Sequence, residues 1–176
     1  MAIRNDYDTT VAVEGILLEA REAREARDDD MPNLEHGAIG ARLARYLDAY
    51  VDEHRLGRVF NSQTTFVFAG APSTRFPAVS FVTQDRLPRR LRTTATFAPD
   101  LAVEVVSESD TVNDSEEKIL QYHQSGVRLI WVVRPVLQTV EVYELAGKPY
   151  LLTTDDDLAG DPVIPGFALP VGKLFA

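Results

Sequence analysis

A strand, a helix and a second strand follow one another in the second half of the chain, and this order constrains the fold more than any other feature. Leu101 to Val106 is an apolar run typical of a buried strand. The next helix is expected to begin at Asn113, with Glu116 as its capping-box partner. Arg128 to Val133 then has the pattern of a second buried strand. Strands joined through a helix are normally parallel neighbours, so the order predicts a parallel crossover.

The rest of the chain predicts one more core helix and several short strands. The helix is expected between Asn33, a good N-cap, and Gly57, a suitable stop. Its core-facing residues recur at helical spacing: Ile39, Leu43, Leu47 and Tyr50. Strands are predicted at 59–60, 64–69, 78–82, 138–145 and 149–153, and a short helix at 170–175. The expected fold is α/β (α+β), a mixed sheet flanked by helices.

Length and composition indicate one globular domain. The chain has 176 residues, of which 45% are hydrophobic and 26% charged. A charged helical segment over 1–30 is expected to precede a domain over 31–176. Cysteine is absent from the sequence, which excludes disulfides and thiolate metal sites. There is no membrane-spanning apolar run and no signal-peptide pattern at the start, so the cytoplasm is expected and a membrane partner is not.

The net charge of −9 disfavours loose binding to nucleic acid, because a polyanion repels an acidic protein at long range. A local basic rim or a bound divalent cation can offset that field. The connector from Arg86 to Arg92 carries four arginines. Arg86, Arg89 and Arg90 are candidates for phosphate contacts, and simple balancing of local charge is the alternative.

The strand over 101–106 carries a carboxylate where a core residue belongs. Leu101, Val103 and Val105 form one face, so Glu104 points the other way, together with Asp100. A carboxylate there needs a cation, a hydrogen-bond donor or a metal. An arginine partner at the strand end and a chemical role are both open. Four strand residues span about 13 Å, so Asp100 and Glu104 cannot share one Mg²⁺ on a straight strand. A second ligand must come from a neighbouring element.

Several sequence runs together resemble one family over about Met31 to Ala176. They are PDLAVEVVSESD, the lysine at 118, QYHQSGVRLIWVV and VIPGFALPVGKLFA. This combination resembles the bacterial Uma-type restriction endonucleases of the PD-(D/E)XK nuclease superfamily. The resemblance implies a restriction-endonuclease-like fold, hydrolysis of DNA phosphodiester bonds, and dependence on Mg²⁺ or Mn²⁺. A homodimer is a further expectation.

The resemblance also implies roles for particular residues. Glu104 matches the strand glutamate, and Glu35 with His36 matches a Glu-His pair on the helix before the sheet. The family lysine matches Lys118 on the following helix. Glu104 and Glu35 are then expected to bind metal directly or through water, and Lys118 to position or activate the water, with Asp100 as a secondary candidate. A helix-dipole role for Glu35 and a solvated ion pair for Lys118 remain the alternatives.

One departure from the family pattern stands out. The strand before the acidic strand usually carries an aspartate after proline, and here Pro77 is followed by Ala78. The missing carboxylate predicts weak metal binding and impaired cleavage. The alternative function is a catalytically inactive nuclease-fold module for binding or interaction. A third interpretation makes the acidic residues purely structural and predicts that Glu104 and Lys118 lie far apart.

Overall fold

The computed structural model describes residues 33–68, 74–107 and 110–176. The predicted helical segment over 1–30 lies outside these residues. The helices are α1 (Leu34–His54), α2 (Val112–Gln124) and α3 (Gly172–Phe175). The strands are β1 (Gly57–Asn61), β2 (Phe66–Val67), β3 (Thr74–Arg75), β4 (Val79–Thr83), β5 (Leu101–Val105), β6 (Leu129–Arg134), β7 (Thr139–Glu144), β8 (Tyr150–Leu152), β9 (Asp157–Ala159) and β10 (Ala168–Pro170).

Six of these strands form one mixed sheet in the order β1-β4-β5-β6-β7-β8. Strands β5 and β6 pair in parallel, with Leu101 opposite Leu129, and α2 connects them. The other pairs in the sheet are antiparallel. The mixed sheet and its parallel crossover are therefore confirmed. Two small ribbons, β2 with β3 and β9 with β10, stand beside it.

The two faces of the sheet bury two different apolar clusters. Helix α1 covers one face, where its residues Ile39, Leu43, Leu47 and Val51 pack with Leu101, Val103, Val105 and Trp131. The other face holds Tyr122 of α2 together with Ala102, Ile130 and Val132. The alternation of β5 is as the sequence predicts, and it turns Glu104 toward the α2 face.

Helix α1 begins as predicted and ends earlier than predicted. Asn33 accepts a hydrogen bond of 2.9 Å from the backbone N–H of His36, which makes it the N-cap. Arg55, and not Gly57, takes the left-handed conformation that ends the helix, with φ of 55°. Gly57 opens β1 with φ of 156°, and a Cβ there would lie 2.1 Å from the carbonyl oxygen of Val82. Glycine is required at 57 for the close approach of β1 to β4.

Helix α2 is capped two residues before the predicted position. Thr111 is its N-cap: its hydroxyl accepts from the N–H of Asp114 at 3.2 Å. The Asp114 carboxylate in turn accepts from the N–H of Thr111 at 3.0 Å. This reciprocal capping box replaces the pair predicted at Asn113 and Glu116.

The C-terminal segment packs against the sheet through a ribbon and a single helical turn. Ala168–Pro170 pairs with Asp157–Ala159, so Pro170 belongs to a strand and the final helix begins only at Gly172. Leu158 and Leu174 are fully buried and join the cluster under α1. Among the described residues, no helix is both long enough and apolar enough to cross a membrane.

Candidate functional site

The candidate site lies where β5 ends and α2 passes over the sheet. Glu104 is the penultimate residue of β5 and is partly buried. The hydroxyl of Tyr122, a fully buried residue of α2, donates a hydrogen bond of 2.5 Å to Oε1 of Glu104. Because the ring of Tyr122 is fixed in the core, this bond sets the position of the Glu104 carboxylate.

Lys118 lies close enough to Glu104 for the charge of Glu104 to act on its ammonium. It precedes Tyr122 by one helical turn, and residues four apart share one side of a helix. Its ammonium donates a hydrogen bond of 2.9 Å to Oδ1 of Asp110, and its side chain is 29% exposed. Burial is the largest single influence and lowers the pKa of Lys118. The charges of Glu104 and Asp110 outweigh it and raise that pKa above its ordinary value.

The raised pKa of Lys118 limits its chemistry. A lysine that is protonated well above neutral pH does not accept a proton from water. It can orient a water molecule through its N–H groups, or stabilise negative charge on a phosphate. The Glu104 charge acts on Lys118, so the two side chains are not as far apart as the purely structural interpretation predicts.

Asp110 is the site residue that the sequence did not reveal. Its Oδ2 accepts from the backbone N–H of Ser107 at 2.8 Å and from the Ser107 hydroxyl at 3.0 Å, while Oδ1 accepts from Lys118. Its side chain is 9% exposed. Burial raises the pKa of Asp110, but the hydrogen bonds from Ser107 and Lys118 bring it below the usual value. The spacing of serine and aspartate three apart after a strand was the available signal, since such pairs form local turns.

Ala78 immediately precedes β4, the strand next to β5. Strands β4 and β5 are antiparallel, with Val79 opposite Val103, so the register continued by one residue places Ala78 opposite Glu104. Facing residues on paired strands have Cβ atoms about 5 Å apart. Ala78 lies just outside this pairing, is buried, and belongs to the apolar cluster under α1. Its methyl group offers no ligand at the position where the family pattern has an aspartate.

Glu35 reaches the same end of the sheet from the other side. It lies exposed in the first turn of α1, at a cavity of about 120 Å³ that is also lined by Val106, Ser107 and Arg134. Arg134 binds Glu141 through its Nε at 2.7 Å. Helix α1 packs on the face opposite Glu104. Glu35 thus borders the end of β5 without lining the face that holds Glu104.

These residues fit a divalent cation only incompletely. Within 33–68, 74–107 and 110–176, no three histidine, aspartate or glutamate side chains are grouped so that they could hold a metal ion. Mg²⁺ binds through oxygen ligands in octahedral geometry and keeps several waters. Glu104 would supply one such oxygen ligand, and the side chain of Ala78 has none to offer.

Asp100 immediately precedes β5, at the end of the strand opposite to Glu104, and its side chain stabilises the fold. Its side chain is 1% exposed, and Oδ1 accepts from Arg86 at 2.6 Å and from Arg128 at 2.8 Å and 3.1 Å. Oδ2 accepts from the N–H and the hydroxyl of Thr83. Burial raises the pKa of Asp100, but the bonds from Thr83 and Arg86 bring it below its ordinary value. Both carboxylate oxygens are therefore used in joining β4, β5 and β6.

The predicted phosphate-contacting arginines divide into two kinds. Arg86 binds Asp100, and its other terminal nitrogen donates to the carbonyl of Ala98 at 2.8 Å. Arg89 and Arg90 lie exposed on the connector after β4. Within the part of the chain that the structure describes, neither of these two forms an ion pair with an acidic side chain.

Comparison with known proteins gives one family and a similar solved structure. The family model Uma2, described as "Putative restriction endonuclease", matches residues 29–172. A crystal structure of "a putative nuclease belonging to DUF820" from Anabaena variabilis ATCC 29413 is similar, with a TM-score of 0.73 and 23% sequence identity. The alignment covers 82% of each chain, so the two share a fold. A search of the curated proteins found no match.

Proposed function

This chain belongs to the Uma2 family, described as "Putative restriction endonuclease", and on that premise we propose that it is a metal-dependent endonuclease acting on DNA phosphodiester bonds, impaired by Ala78. The observation that supports the proposal best is the meeting of Glu104 and Lys118 on one face of the sheet. A strand carboxylate and a helix lysine are brought together there by Tyr122, in a nuclease fold.

Glu104, Lys118 and Glu35 are proposed to have different roles, which follow from their charges and positions. A divalent cation in such a nuclease polarises the phosphate and lowers the pKa of an attacking water. Glu104 is the carboxylate best placed to attract a cation, because it is positioned by Tyr122 and faces α2. Lys118 carries a stable positive charge that can offset the charge developing on the phosphate. Glu35, at the rim of the adjacent cavity, is proposed to act only through water.

Ala78 explains why the activity is expected to be low. The side chain opposite Glu104 is the natural second ligand, because facing residues on adjacent strands can reach one ion. Loss of one charged ligand that contributes as little as about 1.4 kcal/mol already weakens binding about tenfold. We therefore propose weak binding of Mg²⁺ or Mn²⁺ and slow cleavage.

The test is a cleavage assay on the full chain with supercoiled plasmid DNA, titrated with Mg²⁺ and then with Mn²⁺. Slow nicking that depends on the metal is expected, and Glu104→Ala should abolish it. Glu53→Ala, which removes an exposed glutamate of α1, is the matched control and should cleave like the natural protein. Cleavage that persists unchanged in Glu104→Ala would show that the hydrolytic site lies elsewhere.

A second function is favoured by the state of Lys118. Its ammonium is bound to Asp110, and Ala78 leaves the strand pair with one carboxylate. Both features suit a module that binds DNA without cutting it. Such a module retains DNA in a binding assay, shows no cleavage at any metal concentration, and is unaffected by Glu104→Ala.

A further inference from the structure

We infer that Lys118 is the built-in counter-cation of a two-carboxylate site formed by Glu104 and Asp110, and that its ammonium takes the place of a divalent cation there. The inference deepens the proposed function. It rests on that function in one respect, which is that a nuclease of this kind would hold a metal ion at Glu104. It assigns a second acidic residue, Asp110, to the site.

The two carboxylates reach the site from consecutive parts of the chain. Glu104 is held by the hydroxyl of Tyr122, and Asp110 is held by the backbone and hydroxyl of Ser107. Ser107 follows Glu104 by three residues, so Asp110 is bonded to a residue just beyond the end of β5. The second carboxylate of this protein thus comes from the loop after β5, and not from position 78 on β4.

Lys118 has the position and the charge of a counter-ion for both acids. Its Nζ lies 2.9 Å from Oδ1 of Asp110, and the helix turn between Lys118 and Tyr122 brings it beside Glu104. The Asp110 side chain is 9% exposed and that of Lys118 is 29% exposed. Charges this far removed from water require a partner. The raised pKa of Lys118 agrees with this arrangement.

Arg75 adds a second positive charge near Lys118. Its positive charge acts on Lys118, which places it near the same group, and its buried Nε has no hydrogen-bond partner among the described residues. Glu104 and Asp110 carry two negative charges, and Lys118 and Arg75 carry two positive charges. Glu104 and Asp110 are thus matched in number by two cations, and the exposed carboxylate of Asp114 adds one further negative charge that acts on Asp110 and Lys118. A divalent cation could enter only against the repulsion of Lys118.

Binding of Mn²⁺ to the full chain, measured by calorimetry without DNA, tests the inference. We expect Lys118→Met to bind Mn²⁺ at least about tenfold more tightly than the natural protein, because the two carboxylates lose their ammonium. Adding Asp110→Asn should remove that gain, and Lys118→Arg should bind as weakly as the natural protein. Lys148→Met removes an exposed lysine and controls for net charge, so its affinity should be unchanged.

Two results would overturn the inference: equal Mn²⁺ affinity in Lys118→Met and the natural protein, or a gain that survives Asp110→Asn. If Lys118→Met is unfolded alone, circular dichroism after adding Mn²⁺ decides the question. Recovery of the folded signal supports a two-carboxylate cation site, and failure to recover contradicts it. Since no cleavage is measured, failure here leaves the proposed endonuclease function to its own assay.

Discussion

The hydroxyl of Tyr122 on α2 donates a hydrogen bond of 2.5 Å to the carboxylate of Glu104 on β5. This bond joins α2, the crossover helix, to β5, the strand that precedes it in the chain. It holds an acidic side chain at a defined position beside the apolar cluster of the α2 face.

Tyr122→Phe should destabilise the fold by about 1.5 kcal/mol, because a hydrogen bond to a charged group is lost while the ring stays in the core. Urea denaturation at neutral pH measures the change. Tyr46→Phe is the control, since Tyr46 is partly exposed and contacts Arg45 only through its ring. Its effect should stay within about 0.5 kcal/mol. Equal stability of Tyr122→Phe and the natural protein would show that the bond contributes nothing.

Asp100→Asn should lower the free energy of unfolding by about 3 kcal/mol at neutral pH. This is the lower end of the range for breaking a buried ion pair, because both arginine partners are partly exposed. The folded-state pKa of Asp100 is lowered, so its stabilising contribution is present above the unfolded pKa. That contribution is lost as the pH falls through the folded pKa. The gap in unfolding free energy between the two proteins should therefore narrow below about pH 4. A gap that stays constant from pH 7 to pH 2 contradicts this role.

Arg89→Ala combined with Arg90→Ala should weaken DNA binding and reduce the slope of log affinity against log salt by about 1 per arginine. The reason is that each arginine neutralising a phosphate releases condensed counter-ions. Fluorescence anisotropy with a labelled duplex at several salt concentrations measures the slope. The control pair Arg45→Ala and Arg58→Ala removes the same charge from α1 and β1. A slope reduced equally in both double variants would assign the effect to net charge alone.

The sequence predicted the fold best where a local pattern of apolar residues alone determines the structure. Leu101, Val103 and Val105 alternate against Glu104, and burial on both faces of the sheet followed that alternation. The crossover followed from the helix between two apolar runs, since parallel neighbours require such a connection. The family resemblance implied Lys118 and Glu104 as partners in one site, and their catalytic roles stay a prediction.

Other features depend on contacts that local patterns do not contain. Thr111 and Asn113 can both cap a helix, and only the reciprocal bonds with Asp114 decide between them. Arg55 ends α1 in the left-handed conformation, and Gly57 is instead needed in β1 for its close approach to β4. Asp110 was missed because a serine and an aspartate three residues apart commonly form an ordinary local turn. Its place in the site comes from Lys118, eight residues further along, which only the packing of α2 brings to it.

The central claim is that Glu104 lies in a cation site weakened by Ala78, and calorimetric titration of Mn²⁺ into three proteins tests it most directly. Ala78→Asp should bind Mn²⁺ at least about tenfold more tightly than the natural chain, because a second carboxylate then faces Glu104 from the adjacent strand. Adding Glu104→Ala to Ala78→Asp should abolish that gain. Tight Mn²⁺ binding by the natural chain, or a gain that persists without Glu104, would contradict the account.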